Sequence, residues 1–289
     1  MMKLVIVGLL VGLLFCPVKS HGQVTANVLE RVLYIGVEAE TPRDRRATAF
    51  TLDVDGRQYL ITAKHVVAGL KDEDTINVYR GTNWTPLHVR IFKCEDPIDI
   101  AVLIPAAQLT PSSELEPDPT QFFYGQEAYF VGFPYGIFMS APKAMGDQPV
   151  PFIKRAAISS KVTINAEKHA EQLLLDGYNN PGFSGGPIVY RDMNKPGVVF
   201  KVAAVVSGFI PEVVPFMKKH DIKFRDDASP EAKAQPWRIQ QRPDKSWFEY
   251  EDTDNFVALN TGIVQGYLIT PAVDLIRQHP SGPVVAKQP

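Results

Sequence analysis

Residues 176–187 read Asp176-Gly177-Tyr178-Asn179-Asn180-Pro181-Gly182-Phe183-Ser184-Gly185-Gly186-Pro187. Gly182 lets backbone N–H groups converge, Ser184 supplies a hydroxyl, and Gly185-Gly186 keep side chains out of its approach. Such a loop suits a nucleophile whose neighbouring amides stabilise a developing oxyanion. Gly182 to Gly186 also fits Gly-x-Ser-x-Gly, which in α/β hydrolytic folds must follow a strand and open a helix. Here Asn179-Asn180-Pro181 precede the motif and Pro187-Ile188-Val189-Tyr190 after it favours a strand, while His220 downstream lies in a charged segment. The loop therefore belongs between strands, in an all-β chain.

Working outward, short β-rich runs broken by turns dominate. Val28–Glu40 is one, and Thr51–Val54 and Arg57–Thr62 flank Asp55-Gly56, a two-residue hairpin signal that needs positive φ at both positions. Further candidates are Thr75–Arg80, Leu87–Phe92, Ile98–Ile104, Gln126–Phe133, Ile153–Ile164, Gln172–Leu175, Pro187–Tyr190, Val199–Ser207 and Gly262–Thr270. Antiparallel strands at this spacing indicate barrels or a sandwich. Pro105–Phe123, with four prolines, reads as the linker between an N-terminal unit (28–104) and a C-terminal unit (124–279). Phe209–Ala258 has 18 charged residues in 50, five prolines and no period, and reads as a surface insertion. Its Trp237, Trp247, Phe248 and Tyr250 suggest partial docking. Thr270 as cap and Pro271 in the first helical position open a C-terminal helix, and 280–289 forms a tail.

The 289 residues are 45% hydrophobic and 21% charged, which excludes wholesale disorder. A net charge of −2 gives no basic excess for gripping nucleic acid. Lys3 followed by the 12-residue apolar run Leu4–Phe15, then Pro17, reads as a signal peptide over 1–20, too short to span a bilayer. The expectation is export to the periplasm or the extracellular space, without stable membrane insertion. Cleavage after Ser20 removes Cys16, the cysteine of a faint lipoprotein pattern, and leaves Cys94 alone. No internal disulfide can then form, and Cys94 is expected to pack as a small apolar residue. Neither cysteine nor the six histidines show metal-ligand spacing, so no metal and no cofactor is expected.

Two other segments stand out. Ile61-Thr62-Ala63-Lys64-His65-Val66-Val67 is a strand ending at a histidine, and Asp99-Ile100-Ala101-Val102-Leu103 is an acid heading an apolar strand. Each alone describes a structural histidine or a strand cap. In the order His–Asp–Ser they resemble the chymotrypsin-like serine proteases, specifically the bacterial HtrA/Deg-type branch. Asp176, Asn180, Pro181, Gly182, Ser184, Gly185, Gly186 and Pro187 match that branch's serine pattern, and Gly132-Phe133-Pro134-Tyr135-Gly136 resembles its Gly-x-Pro-x-Gly turn. The similarity covers residues 30–208 and 259–279.

The resemblance implies two antiparallel six-stranded β-barrels with a cleft between them. It implies a triad of His65 as general base, Asp99 as its orienting acid and Ser184 as nucleophile. The amides of Gly182 and Ser184 would form the oxyanion hole. It places Tyr178 at the base of the primary specificity pocket, with Ser207, Gly208 and Phe209 along its wall. No acid stands at Tyr178, so cleavage after small or medium apolar residues is expected, with Lys and Arg disfavoured. Phe183 departs from the usual Asn or Asp, which removes the acid that a new N-terminus would pair with and puts a bulky residue in the oxyanion loop. Only ten residues follow His279, which leaves no space for the branch's PDZ domain. The expected partners are protein or peptide substrates. The competing reading is a catalytically silent protease fold that binds peptides or scaffolds other proteins.

Overall fold

Asp55 and Gly56 both adopt positive φ, 50° and 73°, so the two-residue turn read from the sequence forms as expected. It joins two strands of a closed barrel in a computed structural model that describes residues 24–37, 45–140 and 148–286. The expected signal segment, with Cys16, lies outside the described residues. The barrel comprises β1 (Val32–Val37), β2 (Arg45–Val54), β3 (Arg57–Thr62), β4 (Glu73–Arg80), β5 (Asn83–Lys93) and β6 (Ala101–Pro105). Their order is β1-β2-β3-β6-β5-β4, closed where Ile35 pairs with Val78. The expected strand Val28–Glu40 starts later than read, because Ala26–Leu29 makes one helical turn before β1, and its residues 38–40 lie outside the described residues.

The second unit holds β7 (Glu116–Pro117), β8 (Glu127–Gly132), β9 (Met139–Ser140), β10 (Pro149–Val150), β11 (Phe152–Asn165), β12 (Ala170–Asp176), β13 (Pro187–Arg191), β14 (Phe200–Ile222), β15 (Ile239–Gln241) and β16 (Trp247–Leu268). Its main sheet runs β15-β16-β12-β11-β8-β13-β14-β7, and β14 also pairs with β16. That added pairing closes β8, β11, β12, β16, β14 and β13 into a second six-stranded ring. The fold is therefore the expected pair of antiparallel barrels. The strand after the serine loop, β13, rules out the strand–helix elbow.

Leu33, Ile35, Val37, Ala49, Leu60 and Leu103 fill the first barrel, and Phe130, Ile158, Leu175, Phe183, Ile188 and Val206 fill the second. Alternate residues of the same strands, Val32, Tyr34, Phe50, Val131, Phe133, Val189 and Val205, form a third cluster drawn from both barrels. Strands buried on both faces lose the in–out alternation, which is why β1 reads as a continuous apolar run.

Four elements add to or differ from expectation. Phe209–Ala258 is an extension of barrel strands: β14 and β16 continue as an antiparallel ribbon, paired from Pro211–Asn260 to Ile222–Trp247 with a register shift between Pro215 and Met217. A ribbon wet on both faces has no hydrophobic period to reveal it. At its far end Phe248 is buried, Trp237 is exposed, and the buried Arg238 pairs with Asp252 at 3.0 Å. The linker is pinned to the first barrel: buried Arg31 donates to Ser113 O at 2.5 Å, and Gln58 Nε2 to Thr110 O at 3.1 Å. The tail packs on the β2–β3 hairpin, with Gln58 N–H donating to Pro283 O and Val285 N–H to Gly56 O, both at 3.0 Å. The C-terminal helix spans Thr270–Gln278 with Ile269 as its N-cap and no side-chain cap bond, one residue earlier than expected. No helix among the described residues is long and apolar enough to cross a membrane.

Candidate active site

Each candidate residue is held by buried neighbours in sequence. His65 sits on a 3₁₀ turn, Lys64–Val67, whose Val66 and Val67 plug the first barrel and leave the ring half exposed. Asp99 lies in the loop before β6 between buried Ile98 and Ile100. Ser184 follows Phe183, which is fully buried in the second barrel edge-on to Phe130, at 4.9 Å between centroids. The bulky residue in the loop thus faces the core, where it anchors Ser184.

His65 and Asp99 meet directly, and Ser207 links Ser184 to them. Asp99 Oδ2 lies 2.7 Å from His65 Nδ1, and Asp99 Oδ1 accepts the His65 backbone N–H at 2.8 Å. Ser207, expected as pocket wall, donates its hydroxyl to Asp99 Oδ2 at 2.5 Å. Burial is the largest influence on the Asp99 carboxyl and pushes its pKa up. The His65 ring, the Ser207 hydroxyl and the His65 amide together outweigh it and hold the carboxyl below the usual range. The Ser184 hydroxyl donates to the Ser207 carbonyl at 3.4 Å, so Ser207 touches both the acid and the serine. In this arrangement Ser184 Oγ is turned toward Ser207 O and makes no hydrogen bond to His65.

The serine loop is held through its carbonyls. Tyr178 O accepts from Lys154 Nζ (2.6 Å), and Asn179 O from Asn260 Nδ2 (2.6 Å). Pro181 O accepts from Tyr135 N–H (2.9 Å), and Gly182 O from Thr48 Oγ1 (2.7 Å). Phe183 O accepts from Gly186 N–H (2.8 Å), and Ser184 O from Thr48 N–H (3.0 Å). In a trans peptide the N–H points opposite the preceding C=O. With Pro181 O and Phe183 O engaged, the Gly182 and Ser184 N–H groups face away from those contacts. Neither donates to another group among the described residues.

The loop glycines serve backbone approach more than access to Ser184. A Cβ on Gly185, at φ 84°, would lie 2.2 Å from Thr48 O, and one on Gly186 2.2 Å from Val131 O. Gly182, at φ 106°, would put a Cβ 2.3 Å from Phe133 O. Thr48 and Lys154 escaped the sequence reading, since each lies far from Ser184 in the chain and has no motif of its own, whereas Tyr135 belongs to the Gly-x-Pro-x-Gly turn.

Of the expected pocket residues, Tyr178 is exposed, and Gly208 and Phe209 are half-buried opposite Gln265 and Val264. Asp176, the acid nearest in sequence, lines a separate open cavity of about 340 Å³ with Glu127 and Arg155. Cys94 is buried, and desolvation pushes its thiol up to about 12, as befits a packing residue. Among the described residues, His220, Glu249 and Glu251 on the ribbon place ligand atoms within 4.8 Å of one another, a grouping invisible to linear spacing. Its acids are already partnered, Glu249 by Ser229 and Glu251 by Lys218.

A family model described as a trypsin-like peptidase domain matches residues 47–196, more than half of the chain. Among solved structures, the HtrA-type protease AlgW with a tripeptide aligns at a TM-score of 0.50 and 14% identity, over 87% of this chain and 60% of that one. The active form of the Rv3671c protease from M. tuberculosis aligns at 0.47 and 18% identity, over 91% and 85% of the two chains. At 14% identity the likeness to AlgW shows the fold, and the aligned part spans three-fifths of that protein. No curated protein matches the sequence.

Proposed function

The chain belongs to the trypsin-like peptidase domain family, and from that premise we propose that it is an exported serine endopeptidase acting through His65, Asp99 and Ser184. The observation that carries the reading is the Asp99 carboxylate, which grips both the His65 ring and the His65 main chain. That double contact fixes the ring with its Nδ1 on the acid and leaves Nε2 as the proton acceptor.

Turning Ser184 Oγ from the Ser207 carbonyl toward Nε2 lets His65 take its proton as the oxygen attacks the scissile carbonyl. The imidazolium, stabilised by Asp99, then gives that proton to the leaving amine. Water, deprotonated by the same ring, releases the acyl group from Ser184. The Gly182 and Ser184 amides receive the oxyanion in both halves. The substrate is a protein or peptide. With Tyr178 and Phe209 at the pocket and no acid among its residues, cleavage falls after small or medium apolar side chains. A cationic side chain would enter without a partner.

The test is a fluorophosphonate probe on the purified protein. Labelling at Ser184, absent in Ser184→Ala, supports the reading; an unlabelled wild type overturns it and leaves the peptide-binding alternative. Export is checked by N-terminal sequencing of the secreted form, expected to begin after Ser20.

A further inference from the structure

Lys154 stands out among the groups around the serine loop. It extends from β11, and its Nζ donates to Tyr178 O at 2.6 Å and to Asn180 Oδ1 at 2.5 Å. The same ammonium lies 5.7 Å from the Tyr178 ring centroid and 5.8 Å from that of Phe183. Four contacts from one cation therefore bracket the segment that precedes Ser184. No carboxylate lies within ion-pair distance of Nζ among the described residues, so neutral oxygens and ring faces alone hold the charge.

A solvated lysine has no reason to adopt this position. Fixing its long side chain costs rotamer entropy, and partial burial costs hydration. Burial pulls its pKa below the usual lysine range. Charge-assisted bonds to two acceptors and two ring contacts work against that cost, and all four fall on the serine loop.

The rest of the loop shows what this accomplishes. From Asn179 onward, the carbonyls are held by neutral donors, from Asn260, Tyr135 and Thr48 and from the loop's own Phe183 and Gly186 amides. Lys154 holds the first one and also clamps the Asn180 side chain, directly before Pro181-Gly182. Phe183, which replaces the acid position expected to need a counter-cation, instead presents its ring to the same ammonium.

We propose that Lys154 is a built-in positioning residue that sets the Tyr178–Gly182 arm so that the Gly182 amide faces the reacting carbonyl oxygen. The loop is thereby ready without a newly generated N-terminus. This rests on the reading of Ser184 as nucleophile, and the experiment separates the two.

Lys154→Met keeps the aliphatic stem and removes the donors, whereas Lys154→Arg keeps charge and donors. The measurements are the rate of fluorophosphonate labelling at Ser184, kcat and KM on one peptide, and the thermal midpoint. In Lys154→Met, labelling and kcat should fall roughly 100-fold, the scale of an ångström's misplacement. KM and the midpoint should hardly change, and Lys154→Arg should recover most of the loss. Wild-type labelling in a folded Lys154→Met, or a loss confined to KM, overturns the proposal while Ser184 stands. A wild type that does not label removes the underlying reading instead. Should Lys154→Met fail to fold, Asn180→Leu removes one acceptor without touching β11. It should slow labelling measurably, and an unchanged rate overturns the proposal.

Discussion

Thr48 Oγ1 donates to the Gly182 carbonyl at 2.7 Å, from the first barrel to the second. The same hydroxyl accepts Phe133 N–H at 3.0 Å, and Thr48 N–H donates to Ser184 O at 3.0 Å. One fully buried residue of β2 therefore grips the serine loop on both sides of Phe183 and also the turn beside it.

Thr48→Val preserves shape and the backbone bond to Ser184 but leaves Phe133 N–H and Gly182 O without the hydroxyl that joins them. It should destabilise the fold by about 1–3 kcal/mol and slow labelling of Ser184. Thr48→Ser should restore both. Denaturant unfolding and probe kinetics check this, and a destabilised Thr48→Val that labels at the wild-type rate would limit Thr48 to holding the barrels together.

Removing Asp99's charge and removing its supporting hydroxyl should differ in scale. Asp99→Asn favours the wrong His65 tautomer and should cost roughly 10⁴-fold in kcat. Ser207→Ala deletes one of the donors to the carboxylate, a bond worth about 1.5–3 kcal/mol, and should cost about 10- to 100-fold. Steady-state kinetics on one peptide gives both values. Equal losses would mean that Ser207 does more than support the acid.

Asp53 carries a pH-dependent share of first-barrel stability. Burial pushes its carboxyl up, but bonds from Arg31, Gln58 and Ser112 outweigh it and leave the pKa below the ordinary value. A depressed carboxyl stabilises the fold above the unfolded-state pKa, and that contribution disappears as pH falls through the folded one. Asp53→Asn strands the Arg31 guanidinium, 1% exposed, and should cost about 3 kcal/mol at neutral pH. The gap between wild type and variant should narrow below about pH 4. Unfolding midpoints measured from pH 7 to pH 3 test it, and a constant gap would rule out the ion pair as its source.

The ribbon should be removable where the barrel no longer needs it. Glu212 and Leu259 are cross-strand partners, so residues 213–258 can be replaced by a two-residue Asn-Gly turn. The shortened chain should fold with a thermal midpoint near that of wild type, because Val206, Val264 and Leu268 stay in the second-barrel core. Failure to fold would show that the ribbon supports the barrel. A changed peptide-library profile in a folded variant would place the ribbon near bound substrate.

The three site segments, their order and the Asp55-Gly56 turn were legible in the chain because each depends on neighbours a few residues apart. A loop that must bring backbones within 2.2 Å of a Gly Cβ position admits little but glycine, and a type I′ turn likewise narrows its residues. Ser207 was legible only as pocket wall, and Thr48 and Lys154 not at all. Threonine in a strand and lysine on a β-run are ordinary, and they become supports only when barrel closure and barrel packing place them beside a loop 134 and 26 residues away. The ribbon was hidden for the opposite reason. Its strands bury neither face along most of their length, so no alternation marks them, and cross-strand pairing alone makes a strand of the charged segment.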